Sequence, residues 1–210
     1  MTRRSIAWGG WSLLLIACLI YALDALPYLF APASELRLRP DPPSEEVALR
    51  VHAVGGLVAL ALGPWQFLPS LRRRLPRLHR FTGYGYVVGV AGGVVGAVVL
   101  ARTPGGVGAN AFAFYMLAIS WSFSTAMALC HARLRRWDQH RNWMIRSFAL
   151  TFAAVTLRAG MPVLGWLGFA PSQFYTIVAW ASWTINLLVV EWLLLPLLGA
   201  GGPARAKPPT

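Results

Sequence analysis

Long apolar stretches separated by short polar segments dominate the hydrophobic pattern of the chain. Six of these stretches are long enough to cross a bilayer, because a hydrocarbon core of about 30 Å needs roughly 20 helical residues. Proline- and glycine-rich segments separate several of them. The pattern predicts an all-α, polytopic transmembrane helix bundle with six spans near Ser5–Leu26, Ala48–Pro69, Phe81–Ala101, Ala109–His131, Trp143–Leu164 and Phe174–Leu198.

The composition supports this fold class. Of the 210 residues, 57% are hydrophobic and 12% are charged, whereas a soluble domain carries about 25% charged residues. Cys18 and Cys130 show no paired spacing, which excludes a disulfide framework and a cysteine zinc site. We expect residues 1–198 to form one transmembrane domain and the Gly/Pro/Ala-rich residues 199–210 to form a disordered cytoplasmic tail.

The distribution of basic residues predicts the orientation of the spans. With the N-terminus inside, 14 of the 19 basic residues fall in inner segments and five in outer ones, as the positive-inside rule requires. An even number of spans then places both termini in the cytoplasm. A cleaved signal peptide is the less favoured interpretation, because the first apolar run of about 19 residues exceeds the usual 7–15.

The arginine-rich inner loops also bear on binding partners. Short basic loops between spans are typical of contact with anionic lipid rather than of nucleic-acid binding. Recognition of a phosphate or carboxylate ligand is the alternative, since arginine forms bidentate pairs with such groups.

Small residues recur at every fourth position in the second and third spans. This spacing lets helix backbones approach closely, so tight packing is the favoured interpretation and a glycine-lined substrate pathway the alternative. His52 shares a face with the small residues of the second span. We therefore expect His52 to contact another helix, either as a hydrogen-bonded imidazole or as a metal or haem ligand. The small residues are Gly55, Ala59 and Gly63 in the second span and Gly85, Gly89, Gly92, Gly93 and Gly96 in the third.

Polar residues form one stripe on each of the fourth and fifth spans, at about 100° per residue. We expect the two stripes to face each other, because buried hydroxyl groups bond across neighbouring transmembrane helices. A ligand site contacted by Arg158, Ser147 and Thr151 is the alternative. The stripes comprise Ser120, Ser124 and His131 on the fourth span and His140, Ser147, Thr151 and Arg158 on the fifth.

Two ion pairs are expected between spans, since unpaired charges in a bilayer are costly. Asp24 and Arg158 both fall near the outer surface. Glu191 and Arg146 both fall near the inner ends of their spans.

Several motifs resemble the domain of unknown function 2306 family, a bacterial family of predicted multi-span membrane proteins. The matching elements are His52, Gly63-Pro64, Gln66-Phe67, His79-Arg80, Gly83, Tyr86 and the block His140–Arg158. The resemblance covers roughly residues 48–165 and implies an integral protein of a bacterial inner membrane, with no established reaction. Tyr84 stands where we expect an arginine of the family pattern.

A looser similarity connects the chain to six-helix di-haem cytochromes b, which carry histidine ligands on four consecutive central helices. This chain has one histidine on each of spans two to five, namely His52, His79, His131 and His140. Only His52 falls near the outer surface, so at most one inner b-type haem fits, with His131 and either His79 or His140 as ligands. Arg80 and Arg141 adjoin two of these histidines and suit haem propionates or interfacial anchoring.

Three functional hypotheses follow. The protein is a redox protein that binds one b-type haem or a quinone near the cytoplasmic side, a carrier or receptor for a small anionic or lipid ligand, or a non-catalytic partner subunit or assembly factor. A homo-oligomer is compatible with each. No motif of a soluble enzyme is present, and the sequence assigns no catalytic residue.

Overall fold

A computed structural model describes residues 3–30, 43–102 and 111–199 of the chain. All regular secondary structure in these ranges is helical. The predicted tail lies outside the described residues except for Gly199, and the predicted first outer loop does so over residues 31–42. The helices are α1 Arg3–Ala25, α2 Pro27–Phe30, α3 Pro43–Gln66, α4 Pro69–Arg74, α5 Pro76–Ala101, α6 Ala111–Arg133, α7 Trp137–Thr151, α8 Ala153–Trp166, α9 Pro171–Val189 and α10 Leu195–Gly199, with a π-helical turn, Val190–Leu194, between the last two.

Five of the helical segments are long and apolar enough to cross a membrane, and they coincide with the second to sixth predicted spans. The first predicted span corresponds to a shorter apolar helix, Gly10–Ala25. Prolines begin α3, α4, α5 and α9, because a proline in the first turn loses no intrahelical hydrogen bond. The five spans are Glu45–Gln66, Pro76–Ala101, Ala111–Arg133, Trp137–Trp166 and Phe174–Leu198.

The fifth predicted span lies within one membrane-crossing helical segment, Trp137–Trp166. It consists of α7 and α8, which meet at Phe152. The Phe152 carbonyl accepts hydrogen bonds from the amides of both Val155, at 3.0 Å, and Thr156, at 3.1 Å.

The sixth span changes its helical geometry near its C-terminal end. In a regular α-helix the ring of Pro196 would clash with the carbonyl of Trp192. The preceding residues instead form the π-helical turn, in which the Leu195 amide donates to the carbonyl of Val190, five residues earlier. A wider turn of this kind is often found at functional positions.

The closest approach between helices is the glycine seam between α3 and α5. A Cβ atom on Gly89 would lie 2.8 Å from both the Ala59 amide nitrogen and the Gly55 carbonyl oxygen. A Cβ atom on Gly93 would lie 2.9 Å from the Trp121 ring of α6. The predicted tight packing of the second and third spans is confirmed, and glycine is required where backbone meets backbone.

The remaining helices are arranged around this pair. α6 packs against α5 and α7, α9 packs against α7 and α8, and α1 lies on α3. Asn186 of α9 donates to the Ala149 carbonyl at 3.0 Å and accepts from Thr156 at 3.1 Å, which joins the sixth span to the fifth. The Trp11 indole donates to the Pro64 carbonyl at 3.2 Å, which ties α1 to α3. We call the end of the bundle that carries α4 and the α6–α7 turn the inner end.

We expect Gly89→Ala to destabilise the protein by about 1–3 kcal/mol, the usual cost of overpacking, because its methyl group would press on the backbone of α3. Gly92→Ala is the matched control on the same helix: its Cβ would find its nearest neighbours at 3.8 Å. The control should be neutral or stabilising by up to about 1 kcal/mol, since alanine favours helix. Thermal unfolding in detergent measures the stability of both variants. Equal losses of stability would contradict the close backbone contact at Gly89.

Candidate functional site

A network of hydrogen-bonded side chains lies in the core between α5, α6 and α7. The Tyr86 hydroxyl is 2.7 Å from the Ser147 hydroxyl and 2.9 Å from the Thr151 hydroxyl. Ser147 is also 2.7 Å from Thr125, and the Trp121 indole donates to Thr151 at 3.0 Å. We call these five residues the hydroxyl network; all of them are buried.

The hydrogen bonds of the hydroxyl network form a ring. The Trp121 indole donates to the Thr151 hydroxyl, and Thr151 donates to the Ser147 carbonyl at 3.1 Å, while the Tyr86 hydroxyl bonds the hydroxyls of Ser147 and Thr151. Ser147 then donates to Thr125, and Thr125 donates to the Trp121 carbonyl at 2.8 Å. The ring begins and ends on one residue and leaves no donor unpaired. A fully paired buried network of this kind rigidifies a core.

The predicted stripe on the fifth span contacts the fourth span, but not through the residues predicted there. Ser147 and Thr151 face α6, as expected, but they bond Thr125 and Trp121 rather than Ser120 or Ser124. The sequence analysis also missed Tyr86. Its signal was its position three and seven residues before Gly89 and Gly93, which places it on the buried face of the third span.

Both predicted ion pairs between spans are confirmed. Arg158 bonds Asp24 of α1 and lies over the Tyr21 ring at 5.1 Å. Arg146 holds Glu191 of the π-helical turn through two hydrogen bonds, of 2.5 and 2.9 Å. Arg158 therefore lies at the α1–α8 contact, separate from Ser147 and Thr151, with which the sequence analysis grouped it.

His52 belongs to the glycine seam. Its Nδ1 lies 2.7 Å from the Gly93 carbonyl oxygen, and a Cβ atom on Gly96 would lie 2.6 Å from its amide nitrogen. The expected contact with another helix is confirmed. These contacts indicate that His52 stabilises the packing of α3 on α5.

Two of the three inner histidines lie in register with the hydroxyl network. His79 lies seven residues before Tyr86 and His140 seven before Ser147, whereas His131 lies six residues after Thr125. Seven residues are two helical turns, or about 10 Å, and return to the same face. The three histidines lie at the same end of the bundle, where His131 is buried and His79 and His140 are half-buried, and we call them the imidazole cluster.

The ring nitrogens of the imidazole cluster differ in their partners. Nδ1 of His140 is 2.8 Å from the Ala128 carbonyl oxygen of α6, which fixes its ring. Nδ1 of His79 and Nδ1 of His131 are buried and meet no hydrogen-bond partner in the described ranges. Leaving such a nitrogen unpaired costs about 1–3 kcal/mol.

The surroundings of the cluster are basic on one side and polar on another. Arg80 and Arg141 adjoin His79 and His140 and are exposed. Gln66 of α3 donates to the Thr82 hydroxyl at 2.8 Å, one turn from His79. Among the described residues, no group of three or more histidine, cysteine or acidic side chains is placed to hold a metal ion. A ligand here would have to bridge two imidazoles or bond them through their N–H groups.

We expect Tyr86→Phe to destabilise the protein by about 1–2 kcal/mol, because it opens the ring and leaves a buried hydroxyl group short of a partner. Tyr84→Phe is the matched control, since this side chain is 63% exposed and its change should stay within about 0.5 kcal/mol. Thermal or denaturant unfolding in detergent gives both values. A loss no larger in Tyr86→Phe than in the control would show that the network is not stabilising.

Comparison with known proteins identifies the family of the chain. No curated protein and no solved structure matches the chain significantly, so the similarity to the di-haem cytochromes b is not supported. The family described as predicted membrane protein (DUF2306) matches residues 49–194. Several residues that carry the resemblance make contacts between helices here: His52, Gln66 and Tyr86 bond neighbouring spans, whereas Tyr84 faces away from the core. The chain belongs to the DUF2306 family of predicted membrane proteins.

Proposed function

We propose that this protein is a redox protein of the bacterial inner membrane that binds one cofactor, a b-type haem or a quinone, at the imidazole cluster. The single observation that carries the proposal is the pair of buried, unpartnered ring nitrogens on His79 and His131. Buried polar atoms in native proteins are paired, and each exception calls for a ligand, an ion or water. The alternatives, a ligand carrier and a partner subunit, have no comparable observation in their favour.

One histidine of the cluster, His140, has the hydrogen bond expected of a haem ligand, whereas Nδ1 of His79 and of His131 has no partner among the described residues. An axial histidine usually bonds a backbone carbonyl through one ring nitrogen and presents the other to the metal. His140 has this arrangement, because Ala128 holds its Nδ1. We infer that His131 and either His79 or His140 would hold the iron, with Arg80 and Arg141 beside the propionates. A bound haem would supply one-electron transfer.

A quinone fits through a different use of the same side chains. Its two carbonyl oxygens accept hydrogen bonds, and the unpartnered Nδ1 atoms of His79 and His131 are donors when they carry the proton. Quinones partition into the bilayer, so such a ligand would reach the bundle from the lipid. The carrier site of the sequence analysis is less favoured, because its three residues already have partners within the chain. Ser147 and Thr151 both bond the Tyr86 hydroxyl, and Arg158 bonds Asp24.

The proposed topology has six spans, with α1 as the first and both termini in the cytoplasm. α1 is attached to the bundle by Asp24 and Trp11, which supports its insertion beside α3. The inner end then faces the cytoplasm, and its exposed arginines meet anionic headgroups, at about 1 kcal/mol for each basic residue near the surface. These arginines are Arg72, Arg73, Arg74, Arg77, Arg80, Arg133, Arg135, Arg136 and Arg141.

The test is an absorption spectrum of the protein purified in detergent after expression with added haem, first oxidised and then reduced with dithionite. A Soret band and a sharp reduced α-band at about one haem per chain are expected for a single b-type haem. His131→Ala should abolish the bands, as should one of His79→Ala and His140→Ala. His52→Ala is the control, and it should keep them because this imidazole belongs to the glycine seam.

A colourless protein that yields quinone on solvent extraction would select the quinone form of the proposal. In that case His79→Ala and His131→Ala should lower the quinone recovered per chain. A colourless protein without quinone would overturn the redox function and leave the partner-subunit interpretation.

A further inference from the structure

The inner half of the last span is the part of the bundle with the least protein around it. From Leu188 to Leu194, Val190 is the one buried residue, and Trp192 is 81% exposed. The same segment contains the π-helical turn and the Glu191 carboxylate, whose side chain is 42% exposed. A charged group therefore faces outward from a transmembrane helix, where charges are costly and rarely left uncovered.

The ion pair between Arg146 and Glu191 does not use all of its hydrogen-bonding groups. The guanidinium has five N–H donors, and Glu191 takes two of them, on Nε and Nη2. Trp143 covers one face of the guanidinium, with Cζ 4.7 Å from the ring centre. The remaining three donors meet no acceptor among the described residues, and the carboxylate has spare lone pairs. In a bilayer such groups need partners.

Exposed apolar side chains continue this surface along α9. Four exposed side chains follow one another at spacings of three, one and three residues: Ile185, Leu188, Val189 and Trp192. Positions separated by three and four residues form one stripe of a helix, the spacing at which two helices pack side by side. We call this stripe, together with Arg146 and Glu191, the α9 face.

We propose that the α9 face is the interface of a symmetric dimer and that its occupant is a second copy of this chain. Two copies inserted in the same orientation are related by a two-fold axis along the membrane normal, which keeps every residue at its depth. When two identical surfaces meet across such an axis, their left and right sides are exchanged. Arg146 of one copy then lies opposite Glu191 of the other.

Charge complementarity is the reason to choose a second copy over another partner. The ion pair of Arg146 and Glu191 joins two adjacent spans, so a positive group that is 21% exposed lies beside a negative group that is 42% exposed. A copy rotated by 180° presents the same groups in the opposite order at the same depth. The spare donors of each Arg146 would then bond the partner carboxylate, and the pair would become a closed group of four charges.

Exchange of charges between two differently tagged chains tests the interface. Arg146→Glu in one chain leaves two acidic groups on its α9 face, and Glu191→Arg in the other leaves two basic groups. Each variant alone should lose self-association, whereas the two co-expressed variants should co-purify at least as well as two wild-type chains. The double exchange within one chain is the control, and it should restore both folding and self-association.

Two results would overturn the dimer. One is that wild-type chains with different tags do not co-purify from mild detergent or lipid nanodiscs. The other is that the double exchange restores folding while the two co-expressed single variants remain apart, which would show that the pair acts within one chain only.

Disulfide trapping keeps the test decisive if the single variants fail to fold. In a Cys130→Ser background, Leu188→Cys should give a cross-linked dimer on mild oxidation in membranes. Val88→Cys is the control, because Val88 is 70% exposed on α5, away from the α9 face, and it should stay monomeric. Equal cross-linking of both variants, or none in Leu188→Cys, would contradict the interface. These results do not depend on whether the protein binds a cofactor.

Discussion

The rest of the bundle depends on the need to pair every hydroxyl group that is buried in a membrane. Tyr86, Ser147, Thr151, Thr125 and Trp121 have no water to bond, so they bond one another in a ring across α5, α6 and α7. A hydrogen bond is directional, and the ring therefore fixes the rotation and height of the three helices together. Two turns from Tyr86 and Ser147, His79 and His140 lie half-buried at the end of the bundle where His131 is buried.

The glycine seam supplies the other half of the architecture. Two side-chain hydrogen bonds join α3 and α5 beside it, one between His52 and the Gly93 carbonyl and one between Gln66 and the Thr82 hydroxyl. The strength of the seam comes from contact, since Gly55, Gly89 and Gly93 allow the backbones of α3 and α5 to meet. The absence of a Cβ atom at these glycines lets α3 and α5 approach each other, whereas the hydroxyl network fixes the rotation of the helices about their axes. The inner end thus has a rigid support on which unpaired imidazoles are tolerated.

Features that depend on one helix at a time were predictable from the sequence. Periodicity predicted the spans, the small-residue faces of α3 and α5, and the polar face of α7. The cost of an unpaired charge in a bilayer predicted the pairs of Asp24 with Arg158 and of Glu191 with Arg146. Features that depend on which side chain of one helix meets which of another were not predictable. Thr125 replaced its neighbour Ser124 as the partner of Ser147, and Tyr86 closed the ring, because small rotations of packed helices decide such contacts. The turn at Phe152 and the π-helical turn before Pro196 also escaped periodicity, since each changes the residues per turn on which periodicity relies.

The bundle contains buried polar groups that are fully paired, in the hydroxyl network, and buried ring nitrogens on His79 and His131 that have no partner among the described residues and that we propose bind a ligand. The most direct measurement is the unfolding midpoint of cofactor-free protein, made in a haem-deficient host, for His79→Leu and His131→Leu against the wild-type chain. Because each change removes a buried nitrogen without a partner, the account predicts midpoints equal to or higher than that of the wild type. Midpoints lowered in both variants, as the loss of a structural hydrogen bond would lower them, would contradict the account.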